Sequence, residues 1–111
     1  MGDVLRVLYL FSRSLWLPEI ASELEGFVRT LGERAYSLRE VEEAVRKLEE
    51  LGLVKTKRGI RASIAEREEE TILVTLSSEE SLISMLASDE KVRRYRQILF
   101  DALSSLRRNL R

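Results

Sequence analysis

The reactive side chains of this sequence are its charged ones: 19 Lys and Arg stand against 19 Asp and Glu, with no histidine and no cysteine. Without those two residue types there is no thiolate nucleophile, no imidazole base, no thiolate or imidazole ligand for zinc and no disulfide. Carboxylates and lysines remain, but they form no recognisable nucleophile–base pair or metal cluster, and the expectation is a protein with no catalytic residues and no cofactor. The acidic run at 66–70 lacks the spacing of a calcium loop and reads as a solvated tip. What is left is electrostatic chemistry. Lys55, Lys57, Arg58 and Arg61 form the one concentrated basic stretch, and Arg39, Arg46 and Lys47 form a second, looser group. Such side chains neutralise phosphates, and arginine also pairs bidentately with a guanine edge. The net charge is zero, so any contact with a polyanion must rest on a local patch.

The elements that would position these charges follow from the apolar spacing. Val4, Leu5, Leu8, Phe11, Ser12 and Leu15 recur along one side at helical intervals, with Val7 and Leu10 widening the stripe. That predicts a helix over 4–15, with Asp3 as its cap. Leu15, Trp16 and Leu17 precede Pro18, which favours extended geometry before it and a helix start after it. Glu19 then sits in a first turn, and Ile20, Leu24, Phe27, Val28 and Leu31 line a second helix that Gly32 closes. The run from Ser37 to Glu40 has capping-box form. Leu38, Val41, Val45, Leu48 and Leu51 give the third helix an inner face, ending at Gly52.

Beyond Gly52 the pattern becomes extended. Leu53 and Val54 open a strand that carries the basic stretch, residues 60–65 alternate, and 71–76 return rich in β-branched residues. The hairpin turn falls near Gly59 or near Glu68. Ser77 or Ser78 can cap a helical stretch containing Leu82, Ile83, Met85 and Leu86, and Ser88-Asp89 marks a break or a new cap. A long helix over 90–110 then carries Val92, Tyr95, Leu99, Ala102 and Leu106, flanked by Ile98 and Leu103. Tyr9 and Trp16 are expected in packing roles, and Tyr36, just ahead of the third helix, beside a phosphate.

The order helix, strand stub, helix, helix, hairpin resembles the winged helix-turn-helix family. The resemblance rests on 17–24 (LPEIASEL), on 37–51, and on 51–54 (LGLV), and covers 4–76. The added C-terminal helix is similar to that of small dimeric prokaryotic regulators of the PadR, MarR and ArsR kind. The fold class implied is mainly α with a small β-hairpin: a winged-helix domain over 1–77 and a helical dimerisation extension over 78–111. The resemblance further implies binding of double-stranded DNA, with the third helix in the major groove and the wing on the flanking backbone. Ser37 and the helix N-terminus would hold a phosphate. Arg39, Glu43, Arg46 and Lys47 would face the bases, and Lys55, Lys57, Arg58 and Arg61 would anchor the wing. The homodimer contact would use Val92, Tyr95, Ile98, Leu99, Ala102, Leu103 and Leu106.

One feature of the charge pattern opposes this expectation. Between Ser37 and Leu51, three basic residues meet five glutamates, a net charge of −2 on the helix that should approach phosphates. Glu42–Arg46 and Glu43–Lys47 have the spacing of intrahelical ion pairs, which would make the surface a solvated charged face. The alternative reading is therefore a winged-helix module that binds protein rather than DNA, and an apolar patch on the third helix or wing would favour it. The scarcity of amide side chains beside many Glu and Arg suggests a thermophilic source. With no apolar segment of membrane-spanning length, the expected location is cytoplasmic.

Overall fold

The computed structural model describes residues 1–62 and 68–110. Its elements run α1 (Gly2–Leu10), β1 (Ser14–Trp16), α2 (Leu17–Thr30), α3 (Leu38–Glu50), β2 (Val54–Ala62), β3 (Glu68–Leu76), α4 (Glu80–Ala87) and α5 (Glu90–Asn109). The strands form one antiparallel sheet in the order β1-β3-β2. Among the described residues no helix is long and apolar enough to cross a membrane.

α1 is shorter than its apolar spacing predicts. It ends at Leu10, because the backbone beyond it is drawn into the sheet: the Leu76 amide donates to the Arg13 carbonyl at 2.7 Å, and Ser14 pairs with Thr75. Leu15 thus belongs to a strand, opposite Val74, rather than to the helix. Asp3 does not cap α1 either. The cap position is Met1, and Asp3 lies within the first turn, where it is buried.

α2 and α3 form the helix pair the sequence calls for, and both end alike. Gly32 and Gly52 adopt φ of 73° and 75°, a region only glycine enters without steric cost. Each allows a Schellman turn: Glu33 N–H donates to Val28 C=O at 2.8 Å and Leu53 N–H to Leu48 C=O at 2.9 Å. At the N-termini, Glu19 accepts from the Trp16 amide at 3.0 Å. Ser37 and Glu40 exchange a reciprocal pair of bonds at 3.1 Å.

The core lies where these helices meet the sheet. Phe27, Leu8, Ile20, Leu48 and Val7 are its largest fully enclosed side chains. Leu82 and Leu86 of α4 and Val92 and Tyr95 of α5 are buried as well. The Tyr95 ring lies 5.1 Å from that of Phe27 and meets Phe11 edge-on at 5.8 Å. Burial raises the Tyr95 phenol above its ordinary value, with the Glu23 charge adding to it. Asp89 caps α5, accepting from Val92 N–H at 3.0 Å. α4 starts with no side-chain cap of its own, and Ser77 instead accepts from the Glu79 amide.

Two expected inner positions of α3 face outward. Leu38 is 55% exposed and Leu51 62%. Leu38 sits in the first turn, on the open cleft between the start of α2 and the hairpin, and Leu51 is the C-cap residue, past the last buried position of the helix. Gly59 is no turn. It pairs with Thr71 inside the hairpin, and the ladder continues to Ala62 opposite Glu68; residues 63–67, with the expected alternation through Ile64 and the acidic tip from Glu66, lie outside the described residues.

Candidate nucleic-acid interface

α3 presents one solvent-facing side. With Val41, Val45 and Leu48 buried, the 3.6-residue repeat brings Arg39, Glu43, Arg46 and Glu50 to the centre of the outer face, with Glu42 and Lys47 on its flanks. Ser37, at the entrance, is exposed but already committed to the capping box. The opposing glutamates are partly accounted for. Glu49 accepts a hydrogen bond from the Thr56 hydroxyl of β2, which turns it toward the wing. Glu40 is held by the Ser37 amide, and that bond, ahead of the Ser37 hydroxyl, keeps its carboxyl below the usual range. Glu43 pairs with Arg39 at 3.5 Å rather than with Lys47. Arg46 and Lys47 have no carboxylate partner among the described residues.

The basic stretch of the wing is divided by the sheet. In an antiparallel ladder, paired residues share a face and alternate residues change it. Val54 and Thr56 share a face with the buried Val74 and Leu76, and Arg58 follows them there. Lys55, Lys57 and Arg61 lie on the opposite, outer face with Thr75 and Leu73, and so does Trp16. Four cations adjacent in sequence thus become three on one face and one on the other. Arg58 stands 3.6 Å from Glu70. Both border a cleft of about 550 Å³ between the start of α2, α3 and the wing, together with Leu17, Leu38, Glu42 and Ile72. Two carboxylates against one guanidinium, above leucine and isoleucine, make this cleft a poor anion site.

Trp16 fixes how the wing leaves the body. A Cβ at Gly59 would meet the indole Cη2 at 2.8 Å and Cζ3 at 3.2 Å, so the strand passes close over the ring only because that residue lacks a side chain. This packing role is the one the sequence suggests for Trp16.

Behind α3 lies an ionic cluster that sequence reasoning missed. Asp3, 4% exposed, accepts from Arg6 at 2.6 Å, from the Tyr36 hydroxyl at 2.6 Å and from Lys91 Nζ at 3.1 and 3.2 Å. Arg6 also grips Asp89 at 2.8 and 3.1 Å, and Lys91 reaches Glu33 at 2.6 Å. Burial pushes the Asp3 carboxyl up, but the bonds from Tyr36, Lys91 and Arg6 together hold it below its ordinary value. The Asp3 hydrogen bond, then burial, pushes the Tyr36 phenol up to about 12. The Arg6 hydrogen bond lowers Asp89, and Lys91 is raised because Glu33 and Asp3 outweigh its burial. Tyr36 is therefore engaged with the start of α1, not free beside α3. Only the Asp3–Arg6 contact has a local signal, the three-residue spacing of a helical ion pair, whereas Asp3 and Lys91 stand 88 positions apart.

The expected dimer seam splits in two. Val92 and Tyr95 are buried in the chain's own core and Ile98 packs against it, so these three serve intramolecular packing. Past that point α5 runs on with its apolar side in water: Leu99 is 41% exposed, Leu103 59%, Leu106 55% and Leu110 79%, and Ala102 is exposed too.

No protein-family model and no curated protein matches the chain. Among solved structures it is similar to the Orc1 protein of Aeropyrum pernix in complex with DNA. The two share 24% sequence identity over 85% of this chain and 25% of that one, with a TM-score of 0.62. The chain spans about a quarter of the length of that protein. A likeness at this identity speaks to architecture alone. The arrangement of α1, β1, α2, α3 and the β2–β3 hairpin, followed by two further helices, is a winged-helix fold of α+β class.

Proposed function

We propose that this chain binds duplex DNA as a small transcription regulator, with α3 in the major groove and β2 against the phosphate backbone. The observation that carries the reading is the set of exposed cations on the two elements a winged helix offers to DNA: Arg46 and Lys47 on α3, and Lys55 and Lys57 on β2. Arg39 can exchange Glu43 for a guanine edge, since their 3.5 Å contact is exposed and cheaply broken. That the similar Orc1 protein was solved in complex with DNA supports the reading. The active species is a homodimer joined through the free stripe of α5. Leu99, Leu103, Leu106 and Leu110 recur at spacings of four, three and four, and a second copy would remove them from water.

The test is fluorescence anisotropy of a labelled random-sequence duplex, titrated at several salt concentrations. The expected result is binding whose logarithm falls with log salt by about 0.9 per phosphate neutralised. A Lys55→Glu/Lys57→Glu variant should lose it. Sedimentation should return twice the mass of one chain, and one chain's mass for Leu103→Glu/Leu106→Glu. Absence of binding at low salt would refute the DNA reading.

A second reading is favoured by a specific observation. Leu38 and Leu51 on α3 and Ile60 on β2, the last 66% exposed, put apolar surface on the elements that should face DNA. That surface suits a protein partner, and it becomes the leading reading if the titration is flat.

A further inference from the structure

Two arginines converge on one aromatic ring away from α3. Tyr9 of α1 is half-buried, and the guanidinium carbon of Arg13 lies 4.9 Å from its centroid, that of Arg96 5.4 Å. Arg13 comes from the bend between α1 and β1, and Arg96 from α5 just after Tyr95 has docked that helix. Both are exposed. Five other arginines are paired with carboxylates: Arg6, Arg29, Arg34, Arg39 and Arg58. Arg13 and Arg96 pair with none among the described residues. Their positions are instead set by the ring, which attracts a cation without neutralising it. The planar N–H donors therefore stay free for an acceptor, and little side-chain entropy remains to be lost when one binds.

The surroundings of this pair are basic. Arg13 C=O accepts from Leu76 N–H at the base of the sheet. Ser14, next in the chain, occupies one row with Thr75 and Lys55 on the outer face. The distance across that row is two strand spacings, about 10 Å. On α5, helical spacing sets Arg93 and Arg107 on the same side as Arg96, along one edge of the stripe that carries Leu99 and Leu103. β2 carries four cations and no acid, and α5 carries six cations against Glu90 and Asp101, whereas α3 is net negative. The two basic elements of the molecule are thus β2 and α5, and the Tyr9 cluster stands between the base of one and the docked end of the other.

We infer that Arg13 and Arg96, presented by Tyr9, hold backbone phosphates of duplex DNA away from the α3 contact, joining β2 and α5 into one phosphate track. The inference rests on the DNA-binding reading but uses residues outside α3 and the wing. It explains how a neutral chain with an acidic recognition helix would gain affinity: the attraction comes from the flank and reads no sequence.

The experiment compares the salt dependence of duplex binding for the full chain and for Arg13→Gln/Arg96→Gln. Arg94→Gln/Arg108→Gln serves as a control of equal charge on the other side of α5. The clamp variant should bind more weakly, with a salt slope flatter by about 1–2, as expected for loss of one or two phosphate contacts. The control should keep a slope within half a unit of the parent. An unchanged slope in the clamp variant, or equal flattening in the control, overturns the inference while leaving DNA binding intact. If the parent chain binds no duplex at all, the DNA reading itself fails and the clamp with it. Unchanged thermal melts of both variants exclude misfolding, as expected for exposed side chains.

Discussion

Replacing Asp3 with asparagine tests whether the cluster behind α3 holds the molecule together. The substitution keeps shape and an acceptor for the Tyr36 hydroxyl but removes the charge that Arg6 and Lys91 share. Removing one partner of a buried ion pair costs about 3–5 kcal/mol when the other charge is left alone. Here it is not: Arg6 keeps Asp89, Lys91 keeps Glu33, and both cations retain some access to water. The expected loss is therefore smaller, about 2 kcal/mol. In a domain of this size that lowers the melting midpoint by roughly 10 °C. The assay is equilibrium urea unfolding followed by far-UV circular dichroism, at neutral pH and in acid. The Asp3 carboxyl lies below its ordinary value in the fold. Its stabilisation is thus present above the ordinary carboxylate range and disappears as pH falls through the folded value. Parent and variant should converge in acid. A loss below about 0.5 kcal/mol at neutral pH, the scatter of surface substitutions, would refute the reasoning. So would a difference that persists undiminished in acid.

Two further perturbations follow from neighbouring geometry. Gly59→Ala places a methyl 2.8 Å from the Trp16 ring, so either strand or indole must move. The expected cost is about 1–3 kcal/mol, with a shift in the emission of the only tryptophan, whereas an unchanged spectrum and midpoint would disprove the contact. At the alkaline end, the Tyr36 phenol is raised to about 12, so its contribution is intact below pH 10 and is lost as pH climbs through 12. By ultraviolet absorbance Tyr36 should titrate near 12, beside a Tyr95 that is raised as well, and Tyr36→Phe should remove the step near 12.

What the sequence determined by itself was whatever depends on neighbours along the chain. The capping box at Ser37 and Glu40, the glycines that close α2 and α3, and the apolar spacing of Val41, Val45 and Leu48 are local signals, and the structure carries each of them. The winged-helix order followed from these pieces. The absence of histidine and cysteine is likewise a property of composition. Tertiary structure decided what depends on which elements meet. α1 stops at Leu10 because β3 captures the backbone beyond it. Val92 and Tyr95 turn inward while Leu103 and Leu106, on the same stripe, stay in water, because the body of the domain ends partway along α5. Lys55, Lys57 and Arg58 look like one patch in the sequence. The pleat of the sheet sends Arg58 to the other face. Asp3 reads as a helix cap, yet it becomes the centre of an ion cluster because Tyr36, from the α2–α3 connection, and Lys91, from α5, are brought to it and to its helical neighbour Arg6. Such convergence leaves no periodic trace, since burial and charge pairing are set by distances in space, and a single sequence records only distances along the chain.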